Sequence, residues 1–237
     1  MKGTGAQLAA EFADGTLPGG RSPLAHLLHA LNQPLTGLQC SLELAVAGPR
    51  PAQQYMRTLR EGLELTGRIR ILVEAIRELT DIQQMEPGEV VAFLLDDLLR
   101  QTIDDLLPVA EASGVHLSIP IDVALPVLGD RHRISSLMFR LLESVLSLAQ
   151  EGTDVRLATT READRAVLSI SWREAQQPEH SPFSRPELGL LLAQVGWKQA
   201  GADWTHIQTE NGQTCTIRLP LASPSTQSNH APSEALR

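Results

Sequence analysis

The stretch SPLAHLLHALNQPLTGLQCSL, Ser22 to Leu42, decides how the chain is read. Ser22 offers a side-chain oxygen for an N-cap, and Pro23 suits the first helical position, where its missing N–H costs nothing. Leu24, Leu28, Leu31, Leu35, Leu38 and Leu42 then recur at alternating steps of four and three. That heptad spacing predicts a helix packed in a coiled coil or a four-helix bundle. Gly48-Pro49-Arg50-Pro51 stops it. A second seam, Leu65, Ile69, Leu72, Ile76 and Leu79, predicts a helix from about Ala52 to Gln84. Two long helices joined by a short turn make an antiparallel hairpin. One hairpin cannot bury both seams and two can, so a homodimer is expected.

Beyond Pro87-Gly88 the pattern changes. Val90–Ala112 reads as a helix closed by Gly114, Val115–Ile119 as a strand, and Arg131–Gln150 as an amphipathic helix closed by Gly152. Asp154–Thr160 and Ala166–Trp172 alternate like paired strands, and Pro186–Ala200 is a helix ended by Gly201. Asp203–Thr209 and Gln213–Leu219 flank Asn211-Gly212, a hairpin signal. Interleaved helices and paired strands predict an α/β sandwich. The expected fold class is therefore α+β: an antiparallel helical hairpin forming a dimeric four-helix bundle, then a sandwich domain. The expected divisions are a tail over 1–20, the hairpin over 21–86, the sandwich over 87–222 and a disordered tail over 223–237, which is rich in Ser, Pro, Thr, Asn and Gln.

Composition removes several functions. The net charge is -8, so no basic excess points to nucleic acid or to an acidic membrane surface. No stretch approaches the ~20 apolar residues of a membrane span. The N-terminus lacks the apolar run of a secretory signal. A cytoplasmic location is the expectation. Cys40 and Cys215 are far apart and in no metal-ligand spacing, so free thiols and no metal are expected. Aromatics make up 3% of the chain, which leaves Leu, Ile, Val and Ala to fill the core.

If the leucines face inward, His26, His29, Gln33 and Thr36, spaced three, four and three apart, form a polar stripe on the outer side of the first helix. A neutral imidazole carries a free lone pair near pH 7 and attacks phosphorus. A solvated helix face that carries histidines is the plain alternative. Pro34 adds a constraint, because a mid-helix proline costs ~3 kcal/mol or more.

The string His29-Ala30-Leu31-Asn32-Gln33-Pro34-Leu35-Thr36 resembles the H-box of bacterial sensor histidine kinases, in the subgroup with an H-x-L-N-Q-P-L pattern. The resemblance implies that His29 is a phosphoacceptor on the first helix of a dimeric hairpin, with Asn32, Gln33 and Thr36 as supporting surface. His26 has no counterpart in that motif. The family places Glu or Asp directly after the histidine; here Ala30 stands there, and a missing general base typically costs ~10² to 10⁴ in rate.

The region from Pro87 to Leu221 resembles the GHKL-type ATPase domain of the same family. Leu125-Pro126-Val127-Leu128-Gly129-Asp130 with Arg133-Ile134, and the closing Thr214-Cys215-Thr216-Ile217-Arg218-Leu219-Pro220, carry the likeness. The family's asparagine-rich helix motif, which holds Mg²⁺ beside ATP, is replaced by Arg140-Leu141-Leu142-Glu143-Ser144-Val145, so Arg140 and Ser144 mark a degenerate nucleotide site. The family's D-x-G-x-G motif is replaced by Trp172-Arg173-Glu174-Ala175-Gln176-Gln177, and only Leu188-Gly189-Leu190 remains of its second glycine motif. Glycine-rich amides that cradle phosphate are missing. No cofactor is therefore expected. Three functions follow from the resemblance. The first is a ChpT-like histidine phosphotransferase that passes phosphate between response-regulator receiver domains through His29. The second is a pseudokinase adaptor that docks on response regulators or sensor histidine kinases. The third is an active kinase with an unusual pocket.

Overall fold

The computed structural model describes residues 22–119, 124–175, 184–209 and 212–222. The expected tails, and Asn211 of the expected hairpin turn, lie outside the described residues. Helix α1 spans Pro23–Val46 and α2 spans Ala52–Gln84. The Ser22 hydroxyl accepts from the Ala25 amide at 3.2 Å, as the N-cap reading requires. The two helices pack as a hairpin. Close approach is helped by Gly37, which faces Leu65, and by Gly62, which faces Leu38.

The strands and helices that follow are β1 Val91–Leu94, α3 Leu95–Ala112, β2 His116–Ser118, β3 Pro126–Gly129, α4 Arg131–Leu148, β4 Asp154–Glu162, β5 Arg165–Trp172, α5 Arg185–Gln199, β6 Asp203–Thr209 and β7 Gly212–Pro220. The expected helix over Val90–Ala112 needs correction. Val91–Leu94 is a strand that pairs antiparallel with β3, and the helix starts at Leu95. Periodicity could not separate the two, because a four-residue apolar run fits either state.

The main sheet has the order β2-β4-β5-β7-β6. Only the β2–β4 pairing is parallel; the others are antiparallel. Strand β7 alternates buried and half-buried along its whole length, the mark of a strand with one face on the core. Its inward residues Cys215, Ile217 and Leu219 join Ile170 and Trp172 of β5, Leu141 and Val145 of α4, and Trp197 of α5 in one cluster. The glycines expected to end helices do so: Gly114 and Gly201 have φ of 64° and 79°, a conformation that other L residues adopt at a cost.

A second, smaller cluster joins the sandwich to the hairpin. Leu27 and Ala30 of α1, Leu72, Ala75, Leu79 and Ile82 of α2, and Leu188, Leu191 and Leu192 of α5 pack together. On α1 the face buried in this chain is thus Leu27, Ala30 and Pro34, one step round the helix from the expected leucine stripe. Leu28, Leu35 and Leu42 are 46%, 43% and 50% exposed. Among the described residues no helix is long and apolar enough to cross a membrane.

Candidate functional site

His29 lies in the second turn of α1 with its side chain exposed. Asn32, Gln33 and Thr36 are exposed on the same helix, whereas His26 is half-buried. Thr36 Oγ1 donates to the Asn32 carbonyl at 2.9 Å, which orients that turn. Pro34 is buried and has no N–H, so the Ala30 carbonyl loses the amide that a regular helix would offer it. The helix runs on through Pro34 without that one bond, and Leu27 and Ala30 anchor the same turn in the apolar cluster. The alternation of exposed His29 and buried Ala30 follows from the 100° step between helical neighbours.

Arg140 and Ser144 lie one turn apart on α4, on another part of the molecule. Arg140 is ion-paired with Glu78 of α2. Ser144 is buried at 8% exposure and sits against Gly189 of α5, close enough that a side chain at 189 would overlap its hydroxyl. The start of α5 is closed by a capping box: the Ser184 hydroxyl accepts from the Glu187 amide, and the Glu187 carboxylate accepts from the Ser184 amide at 2.9 Å. Its first residue, Arg185, donates to Glu74 of α2 at 3.1 Å. A cleft of about 580 Å³ is lined from both sides, by Glu74 and Glu78 of the hairpin and by Arg140, Ser144, Arg185 and Gly189 of the sandwich.

The segment after β5 is also engaged inward. Glu174 accepts a hydrogen bond from the Gln213 amide, and Gln213 Oε1 is 2.9 Å from His206 Nε2. His206 stacks on Trp172 with ring centroids 5.7 Å apart. Burial pushes the His206 pKa below its ordinary value, and the Gln213 hydrogen bond only partly opposes that shift. Burial likewise pushes the Cys215 thiol pKa up, so this cysteine is inert, while Cys40 is exposed. Among the described residues no cluster of His, Cys, Asp or Glu is arranged to hold a metal ion.

The expected site residues thus fall into two groups. His29, Asn32, Gln33 and Thr36 share α1, and Arg140 and Ser144 share α4. Ala30, next to His29, and Leu188, next to the Gly189 that Ser144 meets, belong to one apolar cluster. The sequence reading missed Glu74 and Glu78. Their spacing of four was visible, but it marks only a shared helix face, and nothing local told which cations they meet.

No protein-family model matches the chain. The chain is 30% identical over 182 residues to the alginate biosynthesis sensor protein KinB of Pseudomonas aeruginosa, covering 73% of this chain and 29% of that protein. It is 27% identical over 230 residues to the circadian input-output histidine kinase CikA of Synechococcus elongatus, covering 83% of this chain and 29% of that one. Among solved structures, the Acinetobacter baumannii histidine kinase AdeS superposes with a TM-score of 0.53 over 82% of this chain and 98% of its own, at 16% identity. The chain has a sensor histidine kinase-like core. The histidine kinase ThkA, solved in complex with the response regulator protein TrrA, superposes on this kinase-like core with a TM-score of 0.57, over 84% of this chain and 60% of that one, at 16% identity. The chain spans less than a third of the length of the curated relatives it matches.

Proposed function

We propose that this kinase-like core is a histidine phosphotransferase in a two-component relay, with His29 as the phosphoacceptor and response-regulator receiver domains as donor and acceptor. The observation that carries this reading is a contrast. His29 is open to a partner, whereas the residues at the positions that would serve a nucleotide are engaged with the protein's own groups. Arg140 holds Glu78 where an asparagine would be needed for Mg²⁺, Ser144 is packed under Gly189, and Glu174 is bonded to Gln213. These residues do not fit ATP with its metal.

In the proposed transfer a neutral ring nitrogen of His29 attacks the phosphorus of an aspartyl phosphate. The N–P bond forms as the P–O bond to the aspartate breaks, and the carboxylate leaves on the donor receiver. The proton on the other ring nitrogen passes to water, since Ala30 offers no carboxylate to take it. The reverse displacement loads the second receiver. The receivers supply the aspartate and the metal that neutralises the moving phosphoryl group. The structure of ThkA with a response regulator supports a receiver as the class of partner. The exposed Leu28, Leu35 and Leu42, on the hairpin face that the sandwich leaves open, support a homodimer.

A second reading, a non-catalytic adaptor, is favoured by one observation: Ala30 is buried in the cluster shared by α1, α2 and α5, so the position beside His29 is used for packing. The test mixes the full chain with a receiver carrying radiolabelled aspartyl phosphate. The relay reading expects acid-labile label on the wild-type chain and none on His29→Ala. Stable receiver binding with no label on either chain would leave the adaptor.

A further inference from the structure

Two arginines of the sandwich reach two glutamates of the hairpin. Arg140 of α4 pairs with Glu78, and Arg185 at the start of α5 pairs with Glu74 at 3.1 Å. Glu74 and Glu78 are four residues apart on α2, so they stand one above the other on one face. The donors come from two helices that pack on each other in the sandwich core. Beside the pairs, Leu188, Leu191 and Leu192 are buried with Leu72, Ala75 and Leu79 of α2. The direct covalent link between α2 and β1, residues 85–90, has no regular structure. The link alone therefore does not set how the sandwich sits.

Exposed single ion pairs hold little, because water and salt screen them. Two pairs on one rigid face differ, since forming the first raises the effective concentration of the second. The neighbouring leucines supply attraction, and the charges supply direction.

We propose that Arg140 and Arg185 form a clasp on Glu78 and Glu74 that fixes the sandwich in one orientation against the base of the hairpin. The cleft that a nucleotide would enter in the resembling family becomes an internal docking surface here. Opening the clasp frees the sandwich to swing on residues 85–90 and uncovers the apolar cluster beside the His29 turn. The proposal concerns orientation and stands apart from whether His29 takes phosphate, so the two fail in different experiments.

The test is a distance distribution by pulsed electron spin resonance in the full chain. Spin labels go on the exposed Cys40 of α1 and on Thr160→Cys at an exposed position of β4; Cys215 is buried and stays unlabelled. Labelled chain is diluted in unlabelled chain, so that distances within one chain dominate. A single narrow distribution is expected for the parent. Arg140→Glu with Arg185→Glu is expected to broaden it at least about twofold, and adding Glu74→Arg with Glu78→Arg is expected to narrow it again. An unchanged distribution in the double reversal overturns the clasp, and so does a fourfold swap that stays broad. Circular dichroism checks folding. If the reversal variant does not fold, Arg140→Gln with Arg185→Gln is judged for broadening in its place, and an unchanged distribution there overturns the clasp equally.

Discussion

Replacing Ala30 with Glu would restore the acid that the resembling kinases carry after their histidine, yet the structure predicts a loss of stability. Ala30 is 3% exposed and lies in the cluster with Leu27, Leu72, Leu79, Leu188 and Leu191. Intrinsic helix propensity is a minor effect, a few tenths of a kcal/mol. Overpacking a filled site costs about 1–3 kcal/mol. A buried carboxylate costs several kcal/mol more until it is protonated or reaches water. Desolvation therefore dominates, and the expected loss at pH 7 is about 3–5 kcal/mol, limited by how far the surrounding cluster can relax. Ala30→Gln keeps the volume without the charge and is expected to lose about 1–3 kcal/mol. A glutamate buried here has its pKa raised, so the folded form holds more protons than the unfolded one above about pH 4.3. Its penalty then shrinks as pH falls toward 5. Urea unfolding midpoints of parent, Ala30→Glu and Ala30→Gln at pH 7 and pH 5 measure all three effects. An Ala30→Glu protein within about 0.5 kcal/mol of the parent at pH 7 would contradict this burial, because position 30 would then have to open to water.

Other expectations follow from single residues. Leu79 is 0% exposed in the cluster joining hairpin and sandwich, so Leu79→Ala should cost about 2–5 kcal/mol in denaturant unfolding. His206 has its pKa lowered from 6.5 by burial; the unfolded chain then binds more protons between the folded pKa and 6.5. Stability should fall as pH drops below about 6.5, with a slope of at most about 1.4 kcal/mol per pH unit, and His206→Gln should flatten that slope. Cys40 should react at once with a thiol reagent in the native protein, while Cys215 should react only on unfolding, which mass spectrometry under native and urea conditions resolves.

Much of this architecture was legible in local pattern. The Ser22 cap, the breaks at Gly48 and Pro87, and the closing glycines 114 and 201 each mark a backbone state that few residues adopt, so they located element ends within a few residues. The alternation of β5 and β7 located the sheet, because one buried face forces period two. What stayed hidden was relational. The seam Leu24–Leu42 showed that α1 has an apolar face, but Leu27 and Ala30 are buried in a cluster that α2 and the α5 leucines complete, and no local feature of α1 states that. Arg140 read as a missing asparagine. Its meaning came from Glu78, which is far away in sequence and only spatially adjacent. Strand β1 was misread because Val91–Leu94 gains its partner, β3, only in the fold.

The proposed relay needs no nucleotide, since Arg140, Ser144 and Glu174 are engaged with the protein's own groups. The direct measurement is calorimetric titration of the full chain with ATP and Mg²⁺ into the millimolar range. No saturable heat is expected. Saturable one-site binding with a Kd in the micromolar range would contradict it, and would mean that Arg140 releases Glu78 to admit the nucleotide.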